Sequence, residues 1–184
     1  MNEDSYMRKV LYLFGLLTDT DVAWIAHSGV CRRVKSGEIL IREGSPVESV
    51  IVLLQGELVV GAQAVGEIAR LGVGEIVGEM SFVDSAPPSA TVTAASDGLV
   101  LLLDKALMSQ KLDSDIAFGC RFYRALAVFL ADRLRTTVRR MGYGTHDLHA
   151  QPFGKDELDV GILDNVSMAG ERFDRMLKML AADH

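Results

Sequence analysis

The chain has only four prolines and two cysteines in 184 residues, and it contains no run of 18 or more apolar residues. Each shortage excludes something. Without a long apolar run there is no candidate membrane-spanning helix. Cys31 and Cys120 stand far apart. Such a pair speaks for a reducing, cytoplasmic setting and against a disulfide scaffold. The opening residues, Met1 to Ser5, are acidic and do not read as a signal peptide. The sequence shows no P-loop, no nucleophile–base pair and no cluster with metal-ligand spacing, so neither an enzyme nor a metal site is expected.

What is present suits one domain with extensions. About half the residues are hydrophobic (49%), enough for a core, and 17 glycines beside few prolines suit turn-rich β structure followed by helices. The net charge of −6 is unevenly placed. Residues 116–145 hold six arginines against Asp132, between two acidic blocks. Arg133, Arg135, Arg139 and Arg140 could in principle attract nucleic acid. Pairing with the acidic flanks is the favoured reading.

Residues 6–17 are apolar at Val10, Leu13, Phe14 and Leu17, which is helical spacing. Thr18 to Asp21 offer an N-cap for a second helix carrying Val22, Ile25 and Ala26. Residues 1–30 are therefore read as N-terminal helices. From Cys31 to residue 114, short β-branched runs alternate with glycine turns, the pattern of an antiparallel roll or sandwich. The runs are 38–41, 49–54, 58–60, 67–71, 90–94 and 99–103. Val50 to Leu54 is apolar throughout and should be buried on both faces.

Residues 115–142 read as one long helix. One row, Ile116, Cys120, Tyr123, Ala127, Leu130, Leu134, Thr137 and Met141, follows a seven-residue repeat. A second row holds Phe118, Phe122, Leu126 and Phe129. Two apolar faces imply two partners, or one broad face in a monomer. Gly142 to Gly144 ends the helix, and residues 143–184 read as a linker and one or two amphipathic helices. A second such helix would begin near Ser167 and end by Ala182. His146 and His149 beside Asp147 read as solvated polar residues and not as metal ligands. Met168, Met176 and Met179 fit a helix face.

Gly78-Glu79-Met80-Ser81, followed by Pro87-Pro88-Ser89-Ala90-Thr91-Val92, resembles the phosphate-binding cassette of cyclic-nucleotide-binding domains. The segments Gly37 to Gly44 and Val50 to Leu58 are similar to further motifs of the same family. Their order and spacing cover roughly residues 8–140. The resemblance implies an α+β fold: an antiparallel, jelly-roll-like β-roll with short N-terminal helices, a long helix after the roll and here a small C-terminal helical extension. It also implies a homodimer through Tyr123, Ala127, Leu130 and Leu134. The catabolite-activator branch of the superfamily places a winged helix-turn-helix after the long helix. No such pattern is recognised in the acidic segment after Met141, so nucleic-acid binding is not expected. Two cysteines are also too few for the cysteine-ligated iron–sulfur cluster of one oxygen-sensing branch.

In the family the cassette holds ribose and cyclic phosphate. By resemblance the ligand-binding residues are Gly78, Glu79, Met80, Ser81, Pro88, Ser89, Ala90 and Thr91. Glu79 takes the ribose hydroxyl, or else caps its own short helix. Ser89 takes the phosphate through its backbone. The family's arginine, which neutralises the phosphate, is Pro88 here. Proline brings neither charge nor N–H. A charge-assisted bond is worth roughly 1.5–3 kcal/mol, so its loss should weaken binding roughly 10- to 150-fold. Arg121 or Arg124 would have to reach in as a lid. The expected function is a non-catalytic, ligand-sensing regulatory domain with weak or absent cAMP and cGMP binding. A cyclic nucleotide is thus a doubtful ligand, and no other cofactor is implied. Two other readings stay open: a ligand-independent dimeric scaffold docking an unknown protein partner through its C-terminal helices, and a transcription regulator of the catabolite-activator superfamily.

Overall fold

A computed structural model describes residues 14–140 and 160–182. Eight strands follow one another: β1 (Val30–Val34), β2 (Ile39–Ile41), β3 (Ser49–Gln55), β4 (Leu58–Ala62), β5 (Gly66–Leu71), β6 (Ile76–Val77), β7 (Thr91–Ala94) and β8 (Gly98–Asp104). They form two four-stranded antiparallel sheets, ordered β1-β8-β3-β6 and β2-β7-β4-β5. This is the expected α+β fold with an antiparallel roll.

β3 shows why the sheets must be covered on both sides. Val50 to Leu54 are all buried. Val50, Val52 and Leu54 point to a core shared with the helices. Ile51 and Leu53 point to a second core between the sheets, with Leu58, Val77 and Val92. Alternation across the pleat explains how one apolar run serves two cores.

The helices are α1 (Asp19–Ser28), α2 (Met80–Val83), α3 (Lys105–Ser114), α4 (Ile116–Arg140) and α5 (Val160–Ala182). Thr18 caps α1 as expected: its hydroxyl accepts from the Asp21 amide, and the Asp21 carboxylate accepts from the Thr18 amide. Three elements were not foreseen. β1, with two arginines among its five residues, and β6, only two residues long, lie outside the runs read as strands. α3 was read as the end of the roll, although Asp104 caps it through the Leu107 amide and Met108 and Leu112 supply its buried face.

α4 carries the two faces read from its pattern. Phe118, Phe122, Leu126 and Phe129 are buried, with Phe118 stacked on Phe122 at 5.8 Å. Tyr123, Ala127 and Leu134 are exposed, while Leu130 leans partly onto the core. The tail is a single helix from Val160, so Ser167 lies inside it. Ala169, Phe173, Met176 and Leu180 are buried, and Phe173 meets Phe14 edge-on at 5.3 Å. Met179 is partly buried against this core, and Met168 is exposed. Arg172 and Arg175 both reach Asp19 at 2.7 Å, which ties α5 to the start of α1. The expectations for residues 143–159, including His146, Asp147 and His149, lie outside the described residues, as does most of the helix read over residues 6–17. Among the described residues no helix is long and apolar enough to cross a membrane.

Asp21 couples α1 to α4. It is 4% exposed, and Arg121 grips it with both arms of its guanidinium at 2.7 and 2.9 Å. Burial alone would raise its pKa, but the hydrogen bonds from Arg121 and Thr18 hold it below the usual carboxylate value. Its stabilising contribution is therefore complete above the unfolded-state pKa of about 3.9. It is lost as pH falls through the lowered folded pKa. Arg121→Ala should cost about 2–3 kcal/mol in urea denaturation at pH 7. Asp21→Asn should flatten the loss of stability below pH 4. An Arg121→Ala variant as stable as the parent would remove the pair from the account.

Candidate functional site

The cassette residues come together between the sheets and α4. Gly78 follows β6 with φ +82°, and a Cβ there would stand 2.8 Å from the Ser49 carbonyl of β3. Only glycine fits such a left-handed, crowded turn. The turn sends the chain straight into α2. The following loop is fixed at Pro88, whose carbonyl accepts from the Gly44 amide at 2.8 Å. Thr91 accepts from the Glu43 amide through its hydroxyl, at 3.1 Å.

A cavity of about 180 Å³ lies between these pieces. Gly78, Glu79, Met80, Ser81, Pro88, Ser89 and Ala90 line it, together with Ile41, Val60, Val77, Val92 and Arg133. Thr91 does not; its side faces a separate surface groove with Arg42 and Glu43. Asp84, one turn after Ser81, adds a second carboxylate to the rim.

Two expectations need correction. Arg121 and Arg124 do not line the cavity. Arg121 is held by Asp21 instead. The arginine that reaches the cassette is Arg133, two to three turns further along α4. Its Nη1 donates to Glu79 Oε1 at 2.6 Å, and its Nη2 donates to Glu75 Oε2 at 3.3 Å and to the Ile76 carbonyl at 2.9 Å. Its guanidinium carbon stands 4.5 Å from the Phe129 ring centroid. Second, Glu79 does not cap α2: no side-chain capping bond is present. Its carboxylate is buried at 2% exposure and turned to Arg133.

Arg133 was read among the basic residues of the helix surface. A signal was nevertheless present. Phe122, Leu126, Phe129 and Arg133 are spaced by four, three and four residues, so Arg133 extends the buried row by one turn. Its long stem can lie along that row while its head meets the cassette. Glu75, 3% exposed, was not singled out at all.

The electrostatics follow from burial. Burial pushes the Glu79 carboxyl above its usual value, with nearby Glu75 adding to the rise and Arg133 opposing it. One guanidinium serves two buried carboxylates, so desolvation prevails over the ion pair. Lys105, at the start of α3, has its pKa lowered, chiefly by burial, although Glu48, Asp84 and Glu79 pull it the other way. The hydroxyls of Ser81 and Ser89 have no hydrogen-bond partner among the described residues. Among the described residues no group of acidic, His or Cys side chains is arranged to hold a metal.

The short helix and the proline loop of the roll thus line a cavity that Arg133 of the long helix also reaches. Residues 31–115, a little under half of the chain, match the family described as the cyclic nucleotide-binding domain. A stretch of 96 residues is 34% identical to a putative potassium channel protein of Rhodopseudomonas palustris, of which the chain spans 23% of the length. The fold is similar to that of a cyclic nucleotide-binding domain from Methylobacillus flagellatus, at 24% identity and TM-score 0.67, covering 77% of this chain and 85% of that one. It is also similar to the Thermus thermophilus catabolite activator protein, at 22% identity and TM-score 0.61, covering 94% and 87%. The N-terminal domain of a Streptomyces coelicolor transcriptional regulator is 27% identical, with TM-score 0.56 and coverage of 72% and 94%.

Proposed function

We propose that this protein is a non-catalytic ligand-sensing module that binds cAMP and cGMP weakly or not at all. One observation carries the reading: among the described residues, the cavity lining holds no uncommitted cation. Pro88 is neutral, and Arg133, the guanidinium in the lining, already serves Glu79, Glu75 and the Ile76 carbonyl. A cyclic phosphate placed beside Ser89 would find no uncommitted cation among the described lining residues, while Glu79 and Asp84 face the same space. Arg133 also supplies the output. It joins the cassette to α4, so a ligand that prefers one arrangement of this contact would bias the helix. The exposed row Tyr123, Ala127 and Leu134 supports a homodimer along α4, where such a bias would be read by the second subunit.

Calorimetric titration with cAMP and cGMP tests the reading. No heat of binding is expected at concentrations where family domains with the arginine respond. Micromolar affinity would overturn it. Pro88→Arg should raise affinity about ten-fold or more, the effect of one charge-assisted bond. Without any gain, the cavity is not a latent nucleotide site.

A further inference from the structure

The helix side of the first sheet is not sealed at its β1 edge. There β1 and β8 face the last turns of α5 across a half-open cleft of about 490 Å³. Cys31 and Arg33 of β1, Leu99 of β8, and Leu177, Leu180 and Ala181 of α5 line it. None of these residues lines the cassette cavity. Cys31, Leu99 and Leu177 rest partly buried on the core beneath, and Leu180 is 7% exposed. Apart from Cys31 and Arg33 the lining is aliphatic, with no aromatic ring and no carboxylate in it.

Charge is placed at one end of this cleft. Arg33 is the register partner of Leu99, and Cys31, on the same face of β1, lies about 7 Å further along the strand. Adjacent Arg32 points to the other face and is committed to Glu38 at 2.6 Å. Arg33 has no ion pair and no side-chain hydrogen bond among the described residues. At Cys31, burial raises the thiol pKa against the pull of the Arg32 amide, so that end is poor in water. The cleft thus offers an apolar wall and one exposed guanidinium at its rim. The planar fork of a guanidinium matches a carboxylate through two parallel bonds. A phosphate dianion would find a single cation in the lining, and a cationic ligand would be repelled by it.

We infer that the cleft between β1, β8 and α5 is a second ligand site, separate from the cassette, and that it takes an aliphatic carboxylate. The chain of the ligand lies against Leu99, Leu177 and Leu180, and its carboxylate bonds to Arg33. Because the cleft is half open, the chain can run out of it, and its length is not set by the volume. Such a ligand bridges the outer strand of the sheet and the end of α5.

Octanoate, octanamide, octylammonium and acetate separate the forces. Each is titrated into the full chain while backbone amide resonances are followed by NMR. Octanoate should move the amides of Cys31, Arg33, Leu99 and Leu177 to Ala181, and leave those of Gly78 to Ser81 in place. It should bind roughly three- to five-fold tighter than octanamide, the value of one exposed ion pair. Octylammonium should bind more weakly than octanamide, and acetate, which has no chain, should leave these amides unmoved. Arg33→Gln should bring octanoate down to octanamide, and unchanged octanamide binding would show that the cleft persists in that variant. The thiol gives a second readout: in a Cys120→Ser background, octanoate should slow alkylation of Cys31 by iodoacetamide. Octanamide or octylammonium equal to octanoate overturns the inference. So does acetate moving the same amides, octanoate acting on the cassette instead, or no response to octanoate. Two further results overturn it by naming another occupant. Cleft amides that move when the protein concentration alone is raised assign the cleft to a second copy of the chain. Silent probes with a Cys31 that resists alkylation throughout assign it to the chain's own residues.

Discussion

Replacing Arg133 by Met should destabilise the protein by about 3–5 kcal/mol at pH 7, the usual cost of stranding a buried charge. The substitution keeps the apolar stem against Phe129 but removes the only described cation in contact with the Glu79 carboxylate. Glu79 and Glu75 stay buried at 2% and 3% exposure. The loss should depend on pH in a definite direction. In the parent, the Glu79 pKa is already raised by burial. A carboxyl with a raised folded pKa contributes most stability below its unfolded value of about 4.3. That contribution disappears as pH rises through the folded pKa. Removing Arg133 takes away the main opposing influence, so the folded pKa climbs further. The gap between variant and parent should widen from pH 5 to pH 8 in urea denaturation. Adding Glu79→Gln to Arg133→Met should recover much of the loss at pH 8 and little at pH 5. A gap that stays constant with pH, and ignores Glu79→Gln, would mean that Arg133 acts by packing alone.

Gly78→Ala should be the second severe change. The backbone there has φ +82°, a region that costs a side-chain-bearing residue about 1–3 kcal/mol. The new methyl would also stand 2.8 Å from the Ser49 carbonyl. That carbonyl cannot retreat cheaply. Ser49 lies on β3, which is held between β8 and β6, and its register partner is Asp104. Gly66 provides the comparison. Its φ is +74°, but a Cβ there would meet nothing within 4 Å. Gly66→Ala should therefore show the conformational cost alone, and Gly78→Ala that cost plus the clash. In a chain of this length each kcal/mol lowers the melting temperature by about 2–4 °C. Equal melting temperatures for the two variants would show that β3 yields freely at Ser49.

The legible parts of this protein are the ones with local causes. Val50 to Leu54 announced a doubly covered strand because alternate residues face opposite sides whatever lies there. Thr18 and Asp21 announced a helix start because a capping box closes within four residues. α4 announced two faces because its periodicity is continuous over its length. β6 was missed because two apolar residues, Ile76 and Val77, carry no period, and only pairing with β3 makes them a strand. α3 was missed for a related reason: ten residues with a short apolar stripe look like the end of a roll until they pack beside α4.

The candidate site divides in the same way. The glycine turn, the short helix and the neutral Pro88 could be read in order along the chain, because each is a property of one residue or its immediate neighbours. The partner of Glu79 could not. Six arginines lie between residues 116 and 145, equal in charge and similar in reach. Arg121 is the one nearest the start of the helix, and Asp21, 100 positions away, takes it. Arg133 meets Glu79 across 54 positions because α4 crosses the cassette at that turn and not earlier. By itself, then, the order of residues determined a roll, its cassette and the absence of a cation at position 88. Which guanidinium closes the cassette, how deeply Glu79 is buried and how large the remaining space is were decided only when distant segments packed, since helix placement is set by the side chains of two cores and not by spacing along one chain.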